Sequence, residues 1–520
     1  MKKTTLLICC IFMAVLTILT GCPHADSPSA APVLTYTISY QTEHGTAPAS
    51  KTVEIGYTLT AEDLPALTDK YYDFKGWNSA AGNVITADTT ITASWQIRSC
   101  TVTYSSTLTG DGTKQIPATF TKDAGYKLTW EDVPCLGKDS SGQLFVGWGK
   151  SFGDEITGDI TLTAEWQDEA YLSFSGGFGA VLNGAAESLS VIFQKEPYEG
   201  DYKETYDCST SNSYYTSYLT NDNKLIISGN GHKIVFPVNS NFLFCDYDNG
   251  GKISSFTFNN DCITSYVEYM ARMFDYCSSI TSIDMSNLDT SNVTNMGQMF
   301  EHCENLKTVN IGKTSATNMY GMFSECMHIE KVVLDTSSAT DMEKMFFSCQ
   351  FTESLDISGF DTSSATTMKD MFSSCNNLKT VDLSGFNTSN VTKMDCMFNQ
   401  CGKLETLDLS GFDTQKVTDM EQMFQRCSQL KTVDLSSFDT QKVTKMNRMF
   451  NDCTNLETIY ASDTFTVKDE ANTSNMFYNC TSLVGGNGTK CNDEEDSEGK
   501  AHACIDGGKT KPGYFTLKQN

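Results

Sequence analysis

CGKLETLDLSGFDTQKVTDMEQMFQRC, residues 401–427, decides the reading of this chain. It closes on Met423-Phe424-Gln425-Arg426-Cys427, one of nine M-F-x-x-C units, which begin at Met273, Met299, Met322, Met345, Met371, Met397, Met423, Met449 and Met476. The steps between them are 26, 23, 23, 26, 26, 26, 26 and 27 residues. A period of this size marks a solenoid, in which each unit buries its apolar face only against its neighbours. Leu404, Leu407 and Leu409 fit an L-x-x-L-x-L frame. Leu407 and Leu409 alternate with Thr406, Asp408 and Ser410, the period of a strand with one face inward. Ser410-Gly411-Phe412-Asp413-Thr414 reads as a turn. Met420, Met423, Phe424 and Cys427 fall at i, i+3, i+4 and i+7, which predicts a short helical segment. The expected coil is one strand, one turn and one helical segment.

Core packing accounts for the recurring Met, Phe and Cys: methionine adapts, phenylalanine brings apolar area, and a buried thiol packs as a small hydrophobe. One cysteine per coil does not supply the clustered ligands of a zinc site, so no metal is assigned. On stacked helical segments about 9–10 Å apart the cysteines would lie beyond the ~7 Å reach of a disulfide. On strand ends about 4.8 Å apart they would not. Cys396 breaks the frame, since Asp370 and Gln422 hold its place in the neighbouring units; it is expected to be an exposed or partly exposed free thiol.

The unit resembles the 26-residue repeat of bacterial surface lipoproteins with BspA-like leucine-rich repeats. CSSITSIDMSNLDTSNVTNMGQMF (277–300) and CNNLKTVDLSGFNTSNVTKMDCMF (375–398) carry the resemblance, which covers 262–485. The closing segment 486–520 resembles the end of such chains and is read as a C-terminal cap. Two units, holding Val309, Ile311, Val332 and Leu334, are three residues short and lack the G-F-D turn.

Upstream stand two copies of a smaller pattern, at 35–97 and 98–167. Each has an alternating first strand, a G-Y-x-L-T step, a strand ending in Gly-Trp and a last strand ending in Trp. Trp77 to Trp95 and Trp148 to Trp166 are both 18 residues apart. The pattern resembles the Listeria–Bacteroides repeat of internalin-like surface proteins. That resemblance implies small β-rich, β-grasp-like modules with the tryptophans as core anchors, acting as a stalk. Residues 168–261 contain several strand-like runs and are read as the N-terminal cap that a solenoid needs. Cys100 with Cys135, and Cys491 with Cys504, are candidate disulfide partners.

Residues 1–21 read as a signal peptide, with a basic MKK followed by an apolar run too short to span a bilayer. The run ends in Leu19-Thr20-Gly21-Cys22, which resembles a bacterial lipobox. It implies lipidation of Cys22 and anchoring to a membrane, most simply the outer membrane facing the cell surface. Residues 22–34, rich in Pro, Ala and Ser, form the tether.

The net charge of −27 argues against nucleic acid as a partner. The histidines are scattered and no nucleophile, phosphate-loop or dinucleotide motif is present, so neither an enzyme nor a small-molecule substrate is expected. Asp284, Asp356, Asp382, Asp408 and Asp434 are expected to stack on the outward strand face. Asp289, Asp361, Asp413 and Asp439, with Asn387, are expected to stack at the turn. Solvated Asx turns explain both rows; bridging calcium is the sharper alternative, and no cofactor is assigned. A long ordered row of polar side chains suits a macromolecular ligand. The expected contact residues are Thr380, Asp382, Thr406, Asp408, Thr432 and Asp434. The expectation is an adhesin-like surface protein that binds host or neighbouring-cell macromolecules; the alternative is a structural or antigenically variable coat.

Overall fold

The computed structural model describes residues 33–518 except 109, 111–114, 130, 151–152, 175–177, 183–184, 186–187, 211–212, 248–250 and 493–498. The signal peptide, Cys22 and most of the tether lie outside the described residues. Two compact units divide at Ser99 and Cys100.

In the first unit, β1 (Thr35–Gln41), β2 (Lys51–Glu54), β3 (Tyr72–Trp77) and β4 (Thr89–Ile97) form one sheet in the order β2-β1-β4-β3. The central pair is parallel and the outer pairs antiparallel. Ile38, Val53, Leu59, Ile85 and Ile91 form its core. The Trp77 indole donates to the Pro65 carbonyl at 2.8 Å, and the Tyr57 hydroxyl donates to Asp63 at 2.7 Å.

The second unit begins with a copy of this module: β5 (Ser99–Ser105), β6 (Phe120–Asp123), β7 (Gln143–Gly147), β8 (Ile160–Thr163) and β9 (Glu165–Asp168). The parallel pair β5 and β8 and the antiparallel pair β7 and β9 repeat the first sheet's geometry. Trp148 again donates to a proline carbonyl, Pro134, at 2.8 Å, and Tyr126 to Asp132 at 2.7 Å. A five-stranded sheet of the chain between 189 and 257 follows, and then the solenoid.

The helical segment expected in each coil is not there. Among the described residues the only α-helix is Phe178–Leu182. Each M-F-x-x-C stretch is instead a run of overlapping turns with two left-handed residues, one before Met and one before Cys. In coil 375–401 these are Cys396, φ 58°, and Gln400, φ 62°. The backbone accounting gives the reason. Amides of Met394, Cys396, Phe398 and Gln400 donate to the next coil, at Asp419, Glu421, Met423 and Gln425. Amides of Met397, Asn399 and Cys401 donate back three residues within their own coil. An α-helix would spend every amide internally and leave the flat coils unjoined. A left-handed residue at every fourth place interrupts the helical path, and every second amide faces the neighbouring coil.

This ladder sets the coils at about the inter-strand spacing, ~4.8 Å. The phenylalanine rings from Phe274 to Phe477 therefore stack at 5.4–5.9 Å with planes within 9°. The repeating Met, Phe and Cys side chains are essentially fully buried. A second seam runs through the buried threonines of the F-D-T turn. The Thr414 hydroxyl donates to the Asp439 carbonyl at 2.9 Å and accepts from the Asp439 amide at 2.8 Å. Thr362 and Thr388 make the same pair of bonds to the following coil.

The ladder starts before the first M-F-x-x-C unit. Ser240, Phe242, Phe244 and Asp246 donate to Tyr269, Ala271, Met273 and Asp275, and Phe244 stacks on Phe274 at 5.7 Å. It also runs unbroken through the two short units: Phe300 donates to Met322 and Phe323 to Met345. Their three missing residues are lost from the corner, where the chain leaves a groove of about 370 Å³ lined by Gly312, Val333, Leu334 and Gly359.

Candidate binding surface of the solenoid

The strand side carries the residues expected to make contact. Thr380, Asp382, Thr406, Asp408 and Thr432 are exposed, at equivalent places on three successive coils. Val381 and Val433 point inward beside them and are buried, as strand alternation requires. Leu407, in the middle coil, is only partly buried, and residues 404–409 form no regular strand. Asp434 is not available in the same way. The Lys518 ammonium of the C-terminal segment donates to its carboxylate, which is half-buried.

Each outward aspartate also has a local task. Ser384 N–H donates to Asp382 Oδ1 at 3.0 Å, and Ser410 N–H to Asp408 Oδ1 at 2.9 Å. These backbone bonds hold both carboxyls below the usual carboxylate range. Asp284, Asp356 and Asp434 accept from Ser286, Ser358 and Ser436 in the same way. At the corner, Asp361, Asn387, Asp413 and Asp439 accept from the amide two residues on, at 2.9–3.1 Å. Both rows are therefore Asx turns, in which one side-chain oxygen accepts from the backbone; the second oxygen of Asp356 pairs with Lys331 and that of Asp434 with Lys518.

Among the described residues, one trio has the spacing to hold a metal ion, Asp275, Glu301 and His302. A cation already sits there. Arg272 pairs with Asp275 at 2.8 Å and with Glu301 at 3.0 Å. The trio was missed in sequence because its members come from two coils, 26 residues apart.

Cys303, Cys326, Cys349, Cys375, Cys401, Cys427 and Cys453 are thiols. The close coil spacing removes the distance objection to disulfides, but each sulfur has another partner. Cys401 Sγ donates to the Phe372 carbonyl at 3.1 Å, Cys427 to Phe398 at 3.1 Å and Cys453 to Phe424 at 3.0 Å. Burial pushes the Cys427 thiol up to about 12 and those of Cys303, Cys401 and Cys453 well above their ordinary value. A neutral buried thiol is a poor nucleophile. Neither candidate bridge outside the repeats forms, since Cys135 and Cys504 are thiols. Cys491 instead extends the sulfur column, donating to the Phe477 carbonyl at 3.6 Å. Cys396 is a partly exposed thiol, pushed up to about 12 by burial and by Asp370.

The second module is fixed to the start of the solenoid. The Tyr266 hydroxyl lies 3.0 Å from the Gly137 carbonyl and 2.9 Å from that of Phe145. Leu144 and Val146 bury against Val235, with Ile263 and Tyr266 alongside. Lys313, at the corner of a short coil, pairs with Glu131 at 2.7 Å.

Three stretches, 252–333, 317–407 and 404–495, match a family described as "Mycoplasma protein of unknown function, DUF285". Two solved structures similar to the chain are leucine-rich repeat proteins. That from Bacteroides ovatus has 16% identity, covers 61% of this chain and 81% of its own, and gives a TM-score of 0.29. That from Eubacterium ventriosum has 16% identity, covers 54% and 83%, and gives 0.26. No curated protein matches the chain.

Proposed function

We propose that this is a lipid-anchored cell-surface protein whose solenoid binds macromolecules of host or neighbouring cells. The carrying observation is the exposed row Thr380, Asp382, Thr406 and Asp408, set on coils whose densest inter-coil ladder lies on the turn side. Side chains there can change without touching the ladder that holds the coils, which is what a binding surface on a rigid scaffold requires. Cys22 is the lipid attachment point in this reading, and no catalytic chemistry is assigned. The test replaces Thr380, Asp382, Thr406 and Asp408 by alanine in the full chain. Attachment of the protein to intact target cells should be lost while the chain still unfolds in one cooperative transition, with stability lowered only by the two lost Asx-turn bonds, about 0.5–1.5 kcal/mol each. Undiminished attachment sinks the strand face as the contact surface.

A second reading, a structural or variable coat, draws on the two short coils, which lose three residues while the ladder continues. Such coils tolerate changes in length and number. Sibling cells with different repeat numbers and equal attachment favour the coat.

A further inference from the structure

The turn side changes character along the solenoid. At the left-handed place before each cysteine, the later coils carry Ser374, Gln400 and Arg426, while the first carry Tyr276 and His302. With Tyr247 these two form one cluster of rings. Tyr247 meets Tyr276 edge-on at 4.7 Å, and Tyr276 stacks on His302 at 4.0 Å. Phe242, Tyr247 and Tyr269 on the first coils are 55%, 66% and 40% exposed. The patch is also acidic. Asp275 and Glu301 pair with Arg272, Glu325 lies 3.7 Å from the His302 ring, and Glu268 is exposed next to Tyr269 in the chain.

The two cations already on this part of the face sit on rings. The Arg272 guanidinium lies 5.9 Å from the centre of Phe242 while pairing with Asp275 and Glu301. The Lys344 ammonium lies 5.7 Å from the centres of both Tyr320 and Phe347. Ring faces and carboxylates together favour a desolvated cation more than either does alone. Tyrosine, phenylalanine and arginine are also the side chains that dominate protein interfaces. We infer that the turn side of the first coils docks a basic segment of a partner protein. Its arginine or lysine side chains lie on Tyr247 and Tyr269 and pair with Glu268 and Glu325. This surface is separate from the strand-side row, so either can fail without the other.

The test uses the full chain and a fluorescent nona-arginine peptide at about 0.15 M salt, where long-range attraction to a net-acidic protein is screened. Tyr247→Ser with Tyr269→Ser leaves the charge unchanged, and both rings are exposed. Glu268→Gln with Glu325→Gln is the second variant. Glu353→Gln with Glu405→Gln removes the same charge from the strand side. Both patch variants should lose about tenfold in affinity, from two lost cation–ring contacts or two lost ion pairs, with the strand-side control within twofold of the parent. Equal losses in patch and control would reduce the effect to net charge and overturn the inference. So would tyrosine-variant binding at the parent level, or patch-dependent binding of a neutral polysaccharide instead of the peptide.

Discussion

On the turn side of coil 375–401 four amides reach the next coil and three close turns within their own. On the strand side the same coil contributes only Thr380–Val381 to a regular pair, and the next coil contributes no regular strand at all. The two sides use one backbone, and the difference is in how completely its donors are committed. The turn side holds register and carries the apolar column. The strand side is held by a few bonds and by exposed ion pairs such as Lys379 with Glu353 at 2.7 Å, which contribute little. A surface that does not hold the coils together is free to acquire a ligand.

The comparison breaks if the turn side proves dispensable. The largest effect is expected for Phe398→Ala, which removes a fully buried ring from between Phe372 and Phe424. The cost should be about 3–5 kcal/mol in denaturant unfolding. A loss no greater than that of a strand-side threonine would show that the column does not hold the coils. Cys401→Ala should cost about 1–2 kcal/mol, because the Phe372 carbonyl loses its sulfur donor and a small cavity remains. Cys401→Ser, which keeps a donor, should recover part of that loss. The smallest effect sharpens the comparison. Ser374 has φ 65°, and glycine accepts that conformation without strain. Relief of about 1–2 kcal/mol exceeds the entropy cost of glycine, so Ser374→Gly should gain about 0.5 kcal/mol. Ser374→Val should lose stability in the same melt.

The repeat, its period and its apolar columns were legible in the sequence, because Met, Phe and Cys return in one frame. The path between them was not. Apolar residues at i, i+3, i+4 and i+7 suit a helix, but a chain of tight turns brings the same residues to one side. The signal that would have separated the two, glycine at the left-handed places, is present only at Gly321, φ 54°. Elsewhere residues as different as Arg272, Tyr276, His302, Lys344, Ser374, Cys396 and Asn479 hold those places, and tertiary packing imposes the conformation. The first coil escaped notice because Leu243-Phe244-Cys245 lacks the M-F-x-x-C frame. In the proposed contact row, exposure followed from alternation, but the pairing of Asp434 with Lys518 spans 84 residues and left no local trace.

The stalk role expected of the two modules needs the same care. They share the parallel and antiparallel strand pairings, the tryptophan anchors and the tyrosine–aspartate bond. In the second, Leu144 and Val146 form the apolar edge that packs on the solenoid. Asp73 and Lys75 hold the matching places in the first. The second module is thus part of the solenoid's own body, and that distinction appears only when the copies are aligned.

The alternation of amides in each turn segment gives the solenoid two independent clocks. Amides such as Phe398 and Gln400 can exchange with solvent only when two coils part, whereas those of Met397 and Asn399 exchange when a single coil loosens. Neighbouring residues in one short peptide thereby time two different motions, the unzipping of the stack and the breathing of its layers.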